Sequence, residues 1–177
     1  KEQNVKTNRY LLRNTLLAGV ILLLFMTACT SGSPPELQIP ADPAVTEGKL
    51  DNGLTYYIRE NSRPAEKAEL RLVVNAGSIL ETDPQQGLAH FLEHMAFNGT
   101  DEYPRNQLVS FLQSLGMKFG PDINAYTSFD ETVYMLSVPT GDQQLLEQGI
   151  DVLSQWAFHM TLDQEEVKAE RGVVYEE

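Results

Sequence analysis

The run from Gln86 to Phe97 constrains this chain most, because it carries two histidines within an apolar helical pattern. Its apolar residues recur at the spacing of one helix face: Leu88, Phe91, Leu92, Met95 and Ala96. His90 and His94 are four residues apart, so a helix places both imidazoles on one side, one turn apart. The pattern predicts a helix that packs through its apolar residues and presents the histidines to a cleft.

The pentapeptide from His90 to His94 has the spacing H-x-x-E-H, the reverse of the H-E-x-x-H of thermolysin-like zinc enzymes. Two such imidazoles can bind one zinc ion at about 2.0–2.1 Å. Glu93 lies beside the pair and can take a proton from zinc-bound water. By chance, a chain of this composition is expected to contain on the order of 0.01 matches to this spacing. The alternative is a pair of surface or capping histidines on an amphipathic helix.

A zinc hydrolase needs a third protein ligand and a fourth position open to water. His159 is the only other histidine, and its place near a predicted helix end favours a packing or C-terminal-turn role. Glu170 and Glu177 are seven residues apart and share one helix face. One of them can bind zinc while the other orients a zinc-bound histidine. The other acidic residues there are expected to form a solvated face: Glu165, Glu166 and Glu176.

The rest of residues 47–177 predicts an α+β domain. A turn signal at Asp51–Gly53 predicts a hairpin that ends with the strand Leu54–Arg59. Two further strands are predicted at Glu69–Val74 and Thr132–Val138. We expect an antiparallel or mixed sheet with helices packed on one face.

Three helices are predicted besides the histidine helix. The first has Pro104 in its first turn and ends at Gly116. Its buried stripe is expected to consist of Leu108, Phe111, Leu112 and Leu115. The other two cover about Gln143–Met160 and Gln164–Glu177.

The first 28 residues resemble a bacterial lipoprotein signal peptide. Four basic residues precede the eleven-residue apolar run Leu16–Met26, which is short for a membrane-spanning helix. Small residues precede Cys29, as in a lipobox whose cysteine is lipidated. We predict a signal peptide at residues 1–28, a flexible Pro/Gly/Ser tether at 29–46 and the domain at 47–177. The alternatives for Cys29 are a spent residue of a discarded signal peptide or a buried thiol.

A lipidated Cys29 predicts a membrane-anchored lipoprotein that faces the periplasm. The residue after it is Thr30 rather than the Asp that often retains lipoproteins at the inner membrane, which favours the outer membrane of a Gram-negative bacterium. The formal charge of -12, from 13 basic and 25 acidic residues, argues against nucleic acid as a partner. A single cysteine excludes an internal disulfide and a cysteine-based zinc site.

The segment from Gly87 to Thr100, Gly-Leu-Ala-His-Phe-Leu-Glu-His-Met-Ala-Phe-Asn-Gly-Thr, resembles the active-site segment of the pitrilysin/insulinase-type zinc peptidases. That family includes the mitochondrial processing peptidases and insulin-degrading enzyme. Three more segments match in order: Asp51–Leu54, Asp122–Thr127 and Glu170–Glu177. The resemblance covers about residues 47–177.

The resemblance implies one zinc ion per chain, with His90, His94 and Glu177 as ligands. It implies Glu93 as the general base and Glu170 as a catalytic-site carboxylate that orients a ligand. The implied activity is hydrolysis of peptide bonds in unfolded peptides or small polypeptides.

The resemblance also implies that Asn124 and Ala125 lie on an edge strand that hydrogen-bonds extended peptide substrate. The family's enzymes have several homologous domains that form two halves around a chamber, or equivalent paired subunits. We therefore expect a domain truncated at Glu177, weakly active or inactive without a C-terminal half or partner subunit. The alternatives are a non-catalytic partner subunit and a zinc-binding lipoprotein module without hydrolysis.

Overall fold

The computed structural model describes residues 40–105 and 107–177. The predicted signal peptide, Cys29 and the first part of the predicted tether lie outside the described residues. The chain divides into two compact units, with the boundary between Arg59 and Glu60. Within the two described ranges, no helix is long and apolar enough to cross a membrane.

The first unit contains an antiparallel hairpin. Strand β1 covers Val45–Lys49 and strand β2 covers Thr55–Arg59. The turn is closed by the Leu50 amide, which donates to the Leu54 carbonyl at 2.8 Å. Gly53 has a left-handed φ of 92°, which glycine adopts without steric cost. The predicted hairpin is confirmed, and β1 begins two residues before the predicted boundary at residue 47.

The second unit is built on a three-stranded antiparallel sheet. Strand β3 covers Lys67–Val74, β4 covers Ile123–Thr127 and β5 covers Thr132–Pro139. The order is β3–β5–β4, so β5 is central and mostly buried. Strand β4 is therefore an edge of this sheet, as the resemblance implies for the strand that carries Asn124 and Ala125.

The described residues contain four α-helices: α1 at Leu88–Asn98, α2 at Gln107–Ser114, α3 at Gln143–Phe158 and α4 at Gln164–Glu176. Two short 3-10 helices cover Ser78–Leu80 and Asp83–Gln85. Alternate β5 side chains point to one face, where they form a core with residues of α1, α2 and α3: Tyr134, Leu136 and Val138 with Ala96, Leu108, Leu112, Val152 and Trp156. The predicted α+β fold with helices on one face of the sheet is confirmed.

The start of α2 differs from the prediction, whereas its end agrees. The helix begins at Gln107, so Pro104 precedes it instead of lying in its first turn. Leu115 follows Ser114, the last residue of the helix, and packs against the core as predicted for the buried stripe. Gly116 follows with a left-handed φ of 89°, consistent with the predicted end of the helix.

The apolar stripe of α1 is buried only in part. Met95 and Ala96 are fully buried, whereas Leu88 and Leu92 are 48% and 38% exposed. The expectation that Leu92 would be a core contact is therefore wrong. The reason is that α1 reaches the core through its C-terminal half, where Ala96 belongs to the cluster that includes Trp156.

Candidate metal centre

A buried tryptophan anchors the half of α1 that carries His94. The Trp156 indole donates from Nε1 to the Ala96 carbonyl at 3.0 Å, and both residues are fully buried. The indole therefore packs in the core while its one polar group is satisfied. This contact connects α3 to α1 and limits how the histidine helix can rotate.

The first turn of α1 is held by a carboxylate from the preceding loop. Glu81 accepts hydrogen bonds from the Gly87 and Ala89 amides, at 2.8 Å each. These amides lack partners within the helix, so the carboxylate stabilises the start of α1. The Ala89 amide and then the Gly87 amide hold the pKa of Glu81 below its usual value. The helix start is thus fixed next to His90.

Three candidate ligand atoms lie close together, two on α1 and one on the residue that follows α4. The Nε2 atoms of His90 and His94 are 3.1 Å apart, with the rings edge to face. Glu177 Oε2 lies 3.4 Å from His90 Nε2 and 3.5 Å from His94 Nε2. Ligands about 2.0–2.1 Å from a tetrahedral ion are about 3.3–3.4 Å from one another. The triangle therefore has the dimensions of three corners of a tetrahedral zinc site.

Glu170 determines which nitrogen of His94 faces this metal-binding point. Its Oε1 lies 2.7 Å from His94 Nδ1, and its Oε2 accepts from Asn98 Nδ2 at 2.7 Å. Because an ionised carboxylate only accepts, His94 donates from Nδ1, which leaves Nε2 as its nitrogen on the side of the metal-binding point. This is the carboxylate–histidine pairing that orients zinc ligands in proteins. The donor set therefore fits a divalent metal such as zinc.

Glu93 precedes His94 on α1 and is not one of the three members of the triangle. Its Oε2 accepts a hydrogen bond from the Thr127 hydroxyl at 2.6 Å. The bond joins α1 to the last residue of β4. A carboxylate held next to a metal-binding point has the placement that a general base needs.

The site opens into a pocket of about 340 Å³. The pocket is lined by residues of the candidate centre, by edge strand β4 and by two aromatic rings: Glu93, His94, Asn98, Glu170, Asn124, Ala125, Phe97 and Phe119. Burial, and then the negative charge of Glu93, raise the pKa of Tyr134 to about 12. Tyr134 therefore stays protonated at neutral pH.

The structure brings His90, His94 and Glu177 together, with Glu170 behind His94 and Glu93 beside the group. His159 lies elsewhere: it caps the C-terminus of α3, and its Nδ1 is 3.1 Å from Asp101 Oδ2. Of the three glutamates assigned to a solvated face, Glu165 and Glu176 are exposed. Glu166 is half-buried and lies 3.6 Å from the Arg105 guanidinium.

Sequence reasoning assigned no role at the metal centre to three residues that hold it: Glu81, Asn98 and Thr127. Asn98 and Thr127 lie within the segments that carry the family resemblance, but nothing local shows that they contact Glu170 and Glu93. Glu81 precedes a Thr-x-x-Gln pattern, Thr82–Gln85, whose side chains form a capping box. That pattern indicates a helical turn, but it does not indicate that Glu81 binds the start of α1.

Known proteins resemble this chain. A profile for insulinase (peptidase family M16) matches residues 56–177. The probable zinc protease PqqL of Haemophilus influenzae is 47% identical over 161 residues, which cover 90% of this chain and 17% of that protein. The chloroplastic stromal processing peptidase of Oryza sativa is 35% identical over 143 residues, covering 78% of this chain and 11% of that protein.

A solved structure agrees with these matches. The crystal structure of the periplasmic protease PqqL from Escherichia coli is 45% identical, with a TM-score of 0.75. The match covers 78% of this chain and 15% of that one. The chain thus spans less than a fifth of the length of these relatives. The resemblance inferred from the motifs is confirmed: the chain belongs to the insulinase (peptidase M16) family.

Proposed function

We propose that this chain supplies the zinc site of a metalloendopeptidase that hydrolyses peptide bonds in unfolded peptides or small polypeptides. The observation that carries the proposal is the triangle of His90, His94 and Glu177, with Glu93 beside it at the edge of a pocket. Relatives named as zinc proteases support the same reaction class.

Each side chain has a distinct role in this proposal. Bound zinc supplies a Lewis acid that polarises the scissile carbonyl and lowers the pKa of water. Glu93 takes the proton from the attacking water and passes it to the leaving amine. Glu170 holds His94 in the tautomer whose Nε2 faces the metal-binding point.

Strand β4 is the proposed binding edge for the peptide. It pairs with β5 along one side, and both Asn124 and Ala125 line the pocket. An extended peptide that adds to a sheet edge is held mainly by backbone hydrogen bonds. This binding mode accepts many sequences, as a peptidase acting on unfolded chains requires.

The proposal extends to the remainder of the enzyme. Because the chain spans less than a fifth of the length of the two PqqL proteases, we propose that a C-terminal half or a partner subunit closes the chamber over the substrate. The chain alone is then expected to bind zinc and to cleave peptides weakly or not at all.

The experiment compares the full-length gene product with its Glu93→Gln variant on a quenched fluorescent peptide. We expect Glu93→Gln to lower kcat by about 100-fold or more, because the proton acceptor is lost. Zinc content, measured by mass spectrometry, is expected to stay at one per chain. Glu165→Gln, an exposed glutamate of α4, is the matched control.

Equal cleavage by the parent and Glu93→Gln proteins would contradict the role of Glu93. A full-length protein that binds zinc but cleaves no peptide would instead be a zinc-binding module. One that binds no zinc and cleaves nothing would be a non-catalytic partner subunit.

We also propose that the protein is a lipoprotein anchored through Cys29 in the outer membrane, facing the periplasm. The signal-like pattern of residues 1–28 and a relative described as a periplasmic protease support this location. Cys29→Ser is expected to abolish labelling by radioactive palmitate and to move the protein out of the membrane fraction. Unchanged labelling would disprove the anchor.

A further inference from the structure

We propose that the Thr127 hydroxyl is a positioning group for Glu93 and that edge strand β4 thereby sets the orientation of the general base. The inference rests on the proposed function, since it takes Glu93 as the proton acceptor. It adds Thr127, which is not one of the histidines and glutamates of the metal centre. It also connects β4, the proposed peptide-binding strand, to the proposed general base Glu93.

The Thr127–Glu93 contact is a short bond between distant parts of the chain. The two oxygens are 2.6 Å apart, although the residues are 34 positions apart in sequence. Such a distance is typical of a hydroxyl that donates to an ionised carboxylate, which is stronger than a neutral pair. Both side chains are half-buried, so solvent competes less for the bond.

A second threonine restricts where the Thr127 proton can point. Thr132 lies opposite Thr127 in the β4–β5 pairing, and the two hydroxyl oxygens are 3.3 Å apart. Thr132 is buried and donates to the Ala76 carbonyl at 2.9 Å. A hydroxyl has one proton, so Thr132 can only accept from Thr127. The Thr127 proton therefore has two acceptors, Glu93 and Thr132, and the Glu93 oxygen is much the closer.

This arrangement provides Glu93 with a partner before and after proton transfer. As a carboxylate, Glu93 accepts the Thr127 proton. Once Glu93 has taken a proton from water, its new O–H can donate to Thr127 Oγ1, while Thr127 turns its own proton to Thr132 Oγ1. No proton leaves or enters the pair of threonines, so the hydroxyls serve only to hold the carboxyl group in place.

The position of Thr127 on β4 connects base orientation to peptide binding. Asn124 and Ala125, which line the pocket, precede it by three and two residues on the same strand. A peptide that pairs with β4 fixes the strand and, with it, the hydroxyl that holds Glu93. Loss of the hydroxyl should therefore lower kcat and leave KM nearly unchanged, because peptide binding itself is retained.

The test uses the full-length gene product with Thr127→Val, which keeps the side-chain shape but removes the hydroxyl, and Thr127→Ser, which keeps the hydroxyl. We expect Thr127→Val to lower kcat by about 10- to 100-fold, as a displaced catalytic group does, with KM within about twofold. Thr127→Ser should recover most of kcat. Thr55→Val, on exposed strand β2, is the matched control.

A second measurement does not depend on activity. Crystal structures of the zinc-loaded proteins should show the Glu93 carboxylate displaced in Thr127→Val and unmoved in Thr127→Ser, with zinc at full occupancy in both. Equal kcat in the parent and Thr127→Val proteins, or an unmoved Glu93 in the Thr127→Val crystal, would overturn the inference. So would equal losses in the Val and Ser variants, since these would indicate a packing role. If the parent protein cleaves nothing, the proposed function fails, while the position of Glu93 in the crystals still decides whether Thr127 holds it.

Discussion

The two helices that form the candidate metal centre are anchored in different ways. Helix α1 has two fully buried residues, a hydrogen bond from Trp156 and the Glu81 carboxylate at its start. None of the residues of α4, all of which the structure describes, is buried. The Glu170 side chain is 16% exposed, and that of Glu177, the residue after the helix, is 51% exposed.

This difference divides the candidate centre into two halves. The half on α1 is the more rigid, because that helix is anchored in the core, whereas no residue of α4 is buried. Glu177 lies one residue beyond the end of α4, and its described contacts at the site are with the two imidazoles at 3.4 and 3.5 Å. A cation bound by these three groups would add contacts that connect Glu177 to α1.

The largest expected effect is on zinc affinity, when one proposed ligand is removed from each half of the centre in turn. We expect His94→Ala to weaken zinc binding by more than about 100-fold, because it removes a preoriented ligand together with the contact to Glu170. Glu177→Ala should weaken it less, since water can replace an exposed carboxylate. Isothermal titration calorimetry of the chain measures both, with His159→Ala as the histidine control. Equal losses in the two variants would contradict the distinction between the halves.

A smaller effect is expected from Glu170, which joins α4 to the rigid half. Glu170→Gln keeps the shape but weakens the acceptor for His94 Nδ1, and we expect zinc affinity to fall about 10- to 100-fold. Glu165→Gln on the same helix should bind zinc like the parent chain. An unchanged affinity in Glu170→Gln would mean that Glu170 does not orient His94.

The smallest expected effect concerns the start of α1 and depends on pH. The lowered pKa of Glu81 means that its ionised form stabilises the folded state. That contribution is complete above the ordinary glutamate value of 4.5 and is lost as the pH falls below it. Thermal unfolding should therefore show parent and Glu81→Gln chains differing at neutral pH and converging in acid. A difference in thermal stability between the parent and Glu81→Gln chains that is the same at every pH would rule out this role. Glu60→Gln changes an exposed glutamate and is the control.

The sequence predicted the helices and strands best where the evidence was local. The α1 pattern, the hairpin turn and β5 all depend on residues within a few positions of one another, and each was found. The start of α2 and the exposure of Leu92 were missed; the exposure of Leu92 depends on which part of α1 meets Trp156. Strand β4 followed only from the family resemblance, since its short segment has no strong pattern of its own.

Helical spacing alone places His90 beside His94 and puts Glu170 and Glu177 on one face, because neighbours within a helix follow from its 3.6-residue turn. Which imidazole nitrogen meets Glu170, and whether Glu177 reaches the same point, depend on the packing of α4 against α1. The Thr127–Glu93 bond depends likewise on the placement of β4. These contacts join residues 34 to 87 positions apart. Helical spacing does not determine such long-range contacts, because they form only when the helices and strands pack around their shared core.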